Sequence, residues 1–102
     1  MTSKNKFGIP ENSLAQIVAL LRATEGVETA KIFGSRAMGN YRDGSDIDVA
    51  AVAPSLGHHQ YLRLCSKLDD LMIPYKIDLV LIHQIDNSSL VEHIQRVGIE
   101  LW

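Results

Sequence analysis

Apolar residues recur along the chain at two spacings, and the change from one spacing to the other predicts the order of its helices and strands. Apolar positions three or four residues apart, the period of one helical face, predict helices over 10–24, 58–72 and 90–98. Short runs rich in β-forming residues predict strands over 27–33, 46–52 and 76–82. Two shorter elements are predicted: a turn or single helical turn over 35–38, closed by Gly39, and an edge strand over 99–102.

The order of these elements predicts one α/β domain. Helix, strand, turn, strand, helix, strand and helix follow one another without a repeat, a low-complexity tract or an interdomain linker. Such an order packs helices on a small sheet in two or three layers. Residues 1–9 are polar and are predicted to form a flexible N-terminal segment. Because Pro10 and Glu11 suit the first turn of a helix, the folded domain is predicted to span residues 10–102.

Composition narrows the class of protein. Hydrophobic residues make up 46% of the 102 residues and charged residues 22%, which is ordinary globular usage and excludes a disordered or fibrous chain. A formal net charge of -2 argues against a surface built to bind polyanions, so direct nucleic-acid binding is not expected. With one cysteine, Cys65, no secretory signal and no membrane-spanning stretch of about 20 apolar residues, the expected location is the cytoplasm, away from any membrane.

Three carboxylates lie on predicted strands that are otherwise apolar. Asp46 and Asp48 are one residue apart, so both side chains leave the same face of a strand, with α-carbons about 6.6 Å apart. Asp78 stands among apolar residues near the start of the next predicted strand and would join the pair if the two strands are neighbours. Their mutual repulsion favours a bound cation, and three carboxylates can hold two Mg²⁺ ions for phosphoryl or nucleotidyl transfer. The alternative is structural: Asp46 caps a turn, Asp48 faces solvent, and Asp78 pairs with Lys76 or an arginine.

A second element suited to phosphate precedes these carboxylates. Gly34 and Ser35 end the first predicted strand, and Asp46 follows 12 residues after Gly34. Glycine lets the backbone approach a phosphate closely, and the amides of the following turn present donors to an anion. Ser35 adds a hydroxyl donor and Arg36 a guanidinium. A plain turn at the end of a strand is the alternative interpretation.

Other phosphate and cofactor motifs are excluded. Gly34 and Gly39 have the glycine spacing of a P-loop, but Asn40 and Tyr41 stand where a Walker A motif requires lysine followed by serine or threonine. No GxGxxG motif follows a predicted strand, so a dinucleotide-binding site is unsupported.

The segment 34–49, which reads GSRAMGNYRDGSDIDV, closely resembles the signature of the minimal nucleotidyltransferases of the DNA polymerase β superfamily. The shared features are the Gly-Ser element, the second glycine, the Ser-Asp-x-Asp pair and a later Ile-Asp-Leu-Val strand that carries the third carboxylate. The resemblance covers nearly the whole chain from about Pro10 onward. It implies a small mixed β-sheet flanked by helices, the palm-like catalytic core of that superfamily.

The resemblance also implies roles for individual residues. Asp46 and Asp48 would ligate two Mg²⁺ ions, for which Mn²⁺ can substitute, and Asp78 would complete the second site and help to activate the acceptor hydroxyl. The residues implied in binding the nucleotide, ATP or another nucleoside triphosphate, are Gly34, Ser35, Arg36 and Ser45.

The same resemblance implies a partner protein. Minimal nucleotidyltransferases of this kind are usually encoded beside a small helical HEPN-domain protein, and several such pairs are toxin-antitoxin systems in which the transferase attaches AMP to a tyrosine hydroxyl of its partner. One departure stands out: the family often has arginine where this chain has Met38. The main alternative to an enzyme is therefore a nucleotide-binding module of weak or absent activity that neutralises or regulates its partner by binding.

Overall fold

The computed structural model describes residues 7–102, which form four helices, one 3₁₀ turn and four strands. In chain order these are α1 Glu11–Ala23, β1 Thr29–Phe33, α2 Gly34–Met38, β2 Ile47–Val52, α3 His58–Asp69, β3 Ile77–Leu81, the 3₁₀ turn Ile82–Gln84, α4 Ser88–Val97 and β4 Ile99–Glu100. Within this part of the chain, none of the helices has the length and apolar character needed to cross a membrane.

The four strands form one mixed sheet in the order β3-β2-β1-β4. Strand β1 runs antiparallel to both β2 and β4, whereas β2 and β3 are parallel. The predicted small mixed sheet is therefore confirmed. Strand β4 lies at one edge of it, within the edge strand predicted over 99–102. Because of these directions, the C-terminal end of β1 and the N-terminal ends of β2 and β3 meet at the same end of the sheet.

Helices cover both faces of the sheet, so the domain has three layers. The larger core cluster includes residues from α1 and α3, among them Ile17, Leu21, Leu64 and Leu68, and the sheet residues Ile47 and Val49. A smaller cluster on the opposite face joins Phe33, Ala50 and Ile94 of α4. Because side chains alternate along a strand, Asp48 lies on the same face as Ala50, beside the smaller cluster.

The N-terminal boundary of the fold lies earlier than the sequence predicted. Phe7 is 6% exposed and Ile9 is fully buried, and both belong to the larger core cluster. The flexible segment predicted over 1–9 is thus corrected at residues 7–9, which are packed; its remaining residues, 1–6, lie outside the described residues. The physical reason is that the apolar side chains of Phe7 and Ile9 pack into the core and hold residues 7–9 against it.

Side-chain hydrogen bonds cap the starts of two helices. Helix α3 begins at His58, as predicted, and the Gln60 side chain accepts a hydrogen bond from the Gly57 amide at 2.8 Å. It ends at Asp69, so Met72, predicted within the helix, is 93% exposed. Helix α4 begins at Ser88, where the preceding Asn87 side chain accepts hydrogen bonds from two backbone amides.

Candidate functional site

The sheet register brings the predicted site residues to one end of the sheet. Asp48 pairs with Phe33 of β1 on one side and with Asp78 of β3 on the other. Gly34, the first residue of α2, follows Phe33 directly, so the Gly-Ser element stands beside the carboxylates. Asp46 lies one residue before β2 rather than within it. The end of β1 and the starts of β2 and β3 therefore assemble the site from segments that are 14 to 30 residues apart in sequence.

The three carboxylates influence one another. Burial, first of all, raises the pKa of Asp48 above its ordinary value of 3.8, and the negative charges of Asp78 and Asp46 raise it further, while His93 acts in the opposite direction. Asp48 is partly buried, whereas Asp46 and Asp78 are exposed. Among residues 7–102 no lysine or arginine forms an ion pair with any of the three, so the pairing of Asp78 with Lys76 is not observed. Asp48 therefore lies close enough to Asp78 and Asp46 for their negative charges to contribute to its raised pKa.

These carboxylates suit a divalent cation in their chemistry but do not form a complete protein cage. Over the described residues there is no group of three or more histidine, cysteine, aspartate or glutamate side chains arranged to hold a metal ion. Mg²⁺ is usually bound through one or two carboxylates, with substrate phosphates and water completing an octahedral shell. Asp48 with Asp46 or Asp78 fits that mode. The binding of two Mg²⁺ ions by Asp46, Asp48 and Asp78 stays a prediction.

Both the backbone conformation at position 34 and the neighbouring Asp48 require a glycine there. Its φ is +72°, a left-handed conformation that side chains disfavour. A β-carbon at this position would overlap Asp48 Oδ2 and lie 3.2 Å from Asp48 Cγ. The group that lies close to Gly34 in this structure is therefore the carboxylate of Asp48. Its role in binding the nucleotide stays a prediction.

Ser35 follows Gly34 in α2. It is half-buried in the first turn of α2, and its carbonyl accepts a hydrogen bond from the Gly39 amide at 2.9 Å. Its hydroxyl forms no hydrogen bond with other residues in the described range 7–102. Ser35 therefore keeps a hydroxyl donor without a partner among the described residues, and its contact with phosphate stays a prediction.

Arg36 does not have the role predicted for it. Its side chain is only 1% exposed, and its guanidinium donates hydrogen bonds to the carbonyl oxygens of Ser45 and Phe7. The rings of Tyr41 and Tyr75 lie within 5.1 Å of the guanidinium carbon. The predicted phosphate contact of Arg36 is corrected: in this fold the guanidinium is an internal group, because two aromatic rings and two backbone carbonyls enclose it.

Ser45 closes the loop that leads to Asp46. Its amide donates to the Arg42 carbonyl at 3.0 Å, and its hydroxyl accepts from the Arg42 amide at 2.8 Å. Its carbonyl accepts the hydrogen bonds from Arg36. Every polar group of Ser45 thus has a partner within the protein, and its predicted contact with the nucleotide remains untested.

Sequence reasoning did not identify His93 as a neighbour of the site. Its ring lies edge-to-face on Phe33, with 6.2 Å between centroids and an interplanar angle of 79°. Helix α4, which carries it, packs against both α2 and β1. The only signal in the sequence is a histidine beside the apolar stripe of a helix, which is too common a feature to predict this contact.

The chain is similar in sequence to one protein family and in structure to several solved proteins. The family described as "Polymerase beta, Nucleotidyltransferase" matches residues 15–102. No curated protein sequence matches the chain significantly. Among solved structures, a chain of a toxin-antitoxin crystallised with AMP-PNP is 27% identical with a TM-score of 0.73, over 87% of this chain and 72% of that one.

Two further structures extend the comparison. A protein described as a candidate minimal nucleotidyltransferase is 27% identical with a TM-score of 0.69, over 87% of this chain and 92% of that one. A chain from the complex of a tri-AMPylated HEPN toxin with an MNT antitoxin, from Shewanella oneidensis, is 24% identical with a TM-score of 0.69, over 90% of this chain and 71% of that one. At that identity, this last likeness shows a shared fold alone.

Proposed function

The chain belongs to the polymerase β nucleotidyltransferase family, and we propose that it is a Mg²⁺-dependent enzyme that transfers AMP from ATP to a hydroxyl group on a HEPN-type partner protein. The observation that carries this proposal is the register at the end of the sheet. Asp48 stands beside Asp78 on one side and beside the Gly34 turn on the other. A nucleotide bound at this turn would have its phosphates within reach of the carboxylates.

In the proposed reaction the backbone of Gly34 and the hydroxyl of Ser35 bind the triphosphate of ATP. Asp46 and Asp48 would hold Mg²⁺, which when bound neutralises charge on the phosphate oxygens. The oxygen of the acceptor hydroxyl forms a bond to the α-phosphorus of ATP. The bond from that phosphorus to the bridging oxygen breaks, and pyrophosphate leaves with the electron pair. Asp78, which is exposed at the same end of the sheet, takes the hydroxyl proton.

The proposed partner is supported by the structural relatives. One relative, 27% identical, is a chain of a toxin-antitoxin crystallised with AMP-PNP, a nonhydrolysable analogue of ATP. The acceptor must therefore be supplied by a second protein if this chain follows its relatives. A tyrosine hydroxyl of a helical HEPN-domain protein has the chemistry that the proposed reaction requires.

The alternative is a binding module that regulates its partner without chemistry. The observation that favours it is that α2 presents no exposed cation. Arg36 is enclosed in the interior, and Met38 occupies the position where arginine is frequent in the family. No guanidinium of α2 is then available to the triphosphate. Weak triphosphate binding would leave the fold able to cover a partner but poor at transfer.

One experiment separates these two functions. The chain is purified with the helical protein encoded beside it, incubated with Mg²⁺ and ATP, and the partner is weighed by mass spectrometry. We expect the partner to gain the mass of an adenylyl group with the wild-type chain and with Asp86→Asn, a matched control in an exposed loop beyond the other end of β3. The gain should be lost with Asp46→Asn and Asp48→Asn. Neutralisation of the partner without any mass gain by the wild type would establish the binding module instead.

A further inference from the structure

The guanidinium of Arg36 lies between two tyrosine rings. Its central carbon is 5.1 Å from the ring centroid of Tyr41 and 4.9 Å from that of Tyr75. Guanidinium groups are attracted to the faces of aromatic rings, most strongly where water is excluded. Tyr41 belongs to the loop between α2 and β2, and Tyr75 to the loop before β3, so Arg36 joins two loops at the end of the sheet that carries the carboxylates.

The hydrogen bonds of Arg36 go to backbone oxygens. Its Nε and Nη2 donate to the Ser45 carbonyl at 3.2 and 2.9 Å, and its Nη1 donates to the Phe7 carbonyl at 2.9 Å. None of its hydrogen bonds to described residues goes to a carboxylate. A buried cation without a charged partner is costly, and hydrogen bonds offset only part of that cost. The three hydrogen bonds therefore indicate which parts of the backbone the guanidinium holds in place.

The guanidinium of Arg36 holds the backbone directly before Asp46. Ser45 precedes Asp46 directly, and its carbonyl receives both Nε and Nη2 of Arg36. On the other side of Asp46, the amide of Ile47 donates to the Lys76 carbonyl at 2.8 Å. Asp46 thus lies between two peptide groups that are both held by hydrogen bonds. The second of these groups contains the amide of Ile47, the first residue of the strand that carries Asp48.

We infer that Arg36 is a positioning residue for the nucleotidyl transfer proposed above: its enclosed guanidinium fixes the peptide group of Ser45 and thereby the orientation of the Asp46 and Asp48 side chains. This inference rests on the proposed function for its catalytic consequence. Arg36 does not contact the nucleotide, because a contact would require the guanidinium to leave both rings and three hydrogen bonds. It acts through the backbone of the loop.

Two variants test this role. Arg36→Lys keeps the charge but loses the planar group that donates from two nitrogens to one carbonyl, and Arg36→Met keeps most of the length of the side chain without charge or donors. Arg63→Lys, on the exposed face of α3, is the control for an arginine-to-lysine exchange elsewhere. Thermal unfolding first establishes a temperature at which every variant is folded, and the folded fraction normalises each rate.

The kinetic readout is kcat against KM for ATP, with the partner protein as acceptor and Mg²⁺ present. We expect both Arg36 variants to lower kcat per folded molecule by about 10- to 100-fold, the usual consequence of a misplaced catalytic group, with KM for ATP within about threefold of wild type. Arg63→Lys should leave both constants unchanged. A raised KM that depends on ionic strength, with kcat preserved, would show a phosphate contact and overturn the inference. Unchanged kcat per folded molecule would reduce Arg36 to a purely structural role and overturn it too.

A second readout does not depend on activity. Backbone amide chemical shifts measured by NMR without nucleotide or metal should change in Arg36→Lys at 45–48 and remain as in wild type in α1 and β4. If the wild type transfers nothing, the proposed function fails, and the amide shifts alone then decide whether Arg36 sets the geometry of this loop. Unchanged shifts at 45–48 would overturn the inference whatever the activity.

Discussion

The carboxylate of Asp48 occupies the space that a β-carbon on Gly34 would need. A β-carbon there would overlap Oδ2 of Asp48 and lie 3.2 Å from its Cγ, and the φ of Gly34 is +72°. Two parts of the predicted site thus depend on each other sterically: the turn that would bind phosphate has no side chain at its first position, and the carboxylate that would bind metal lies in the space left free. The glycine serves the placement of Asp48 before any ligand arrives.

Gly34→Ala is expected to destabilise the fold more than Gly39→Ala. Both glycines have a left-handed φ, +72° and +86°, so both alanine variants incur the conformational cost of about 1–2 kcal/mol for an L-residue in that region. A β-carbon on Gly39 has nothing within 4 Å, whereas one on Gly34 must displace Asp48. Urea unfolding of both variants measures the difference, which we expect to be about 1 kcal/mol or more.

The double variant Gly34→Ala/Asp48→Ala supplies the check on this prediction. Removing the carboxylate should bring the cost of Gly34→Ala down to that of Gly39→Ala, since only the backbone conformation then remains unfavourable. Equal costs of Gly34→Ala and Gly39→Ala in the presence of Asp48 would show that the carboxylate moves aside freely.

Asp48→Asn is expected to stabilise the metal-free protein at neutral pH. Burial together with the charges of Asp78 and Asp46 raises the pKa of Asp48 above 3.8. Between 3.8 and that raised pKa the folded state binds more protons than the unfolded state, so stability falls as the pH rises through this window and stays lowered above it. The variant should therefore gain at most about 1 kcal/mol at neutral pH, because the carboxyl is partly exposed and its charge is screened. Urea unfolding at neutral pH and near pH 3 measures this gain, which should vanish at the lower pH; an equal gain at both pH values would contradict the electrostatic cause.

Mg²⁺ is expected to raise the melting temperature of the wild type, because an ion that binds only the folded state stabilises it by mass action. At ten times the dissociation constant the gain is about 1.4 kcal/mol, a shift of several degrees for a domain of this size. Asp48→Asn should lose most of the shift, and the exposed control Asp86→Asn should keep it. A thermal-shift titration in the millimolar range measures this, and equal shifts in wild type and Asp48→Asn would reject a cation site shared by these carboxylates.

Met38→Arg is expected to strengthen ATP binding. Met38 is 50% exposed at the C-terminal end of α2, the short helix that starts at Gly34. An arginine there would add a guanidinium near the proposed triphosphate site, where a charge-assisted contact raises affinity by about three- to tenfold. Leu62→Arg on α3, with 49% exposure, adds the same charge at a matched but distant position. Calorimetric titration with a nonhydrolysable ATP analogue and Mg²⁺ compares them; equal affinities in the two variants would show that the charge of Met38→Arg acts without regard to position.

The elements whose signals are local were predictable from the sequence. The apolar periodicity of α1 and α4, the β-forming runs and the paired Asp46 and Asp48 depend on residues close together in the chain, and the predicted sheet, helices and family were confirmed. Errors arose at element boundaries: α3 ends at Asp69, whereas the predicted helix continued to Met72. Asp46 was predicted on a strand, but β2 begins one residue later.

The surroundings of Arg36 could not be predicted from the residues next to it in the sequence. A guanidinium beside a Gly-Ser turn is typical of a phosphate contact, and nothing within the motif contradicts that interpretation. Its actual surroundings come from elsewhere: Phe7 lies 29 residues before it and Tyr75 lies 39 residues after it in the chain. The burial of Phe7 and Ile9 was missed for the same reason, since two apolar residues in a polar stretch have no periodicity to reveal them.

By itself, the sequence determined the kinds of groups available for chemistry and the order of the elements that carry them, because side-chain chemistry and helix or strand period are properties of short segments. The tertiary structure decided which of those groups meet. Parallel pairing of β2 with β3 places Asp48 opposite Asp78, and antiparallel pairing with β1 brings Gly34 against Asp48. It also decided that Arg36 turns inward, because the space between Tyr41 and Tyr75 exists only after three distant segments have packed together.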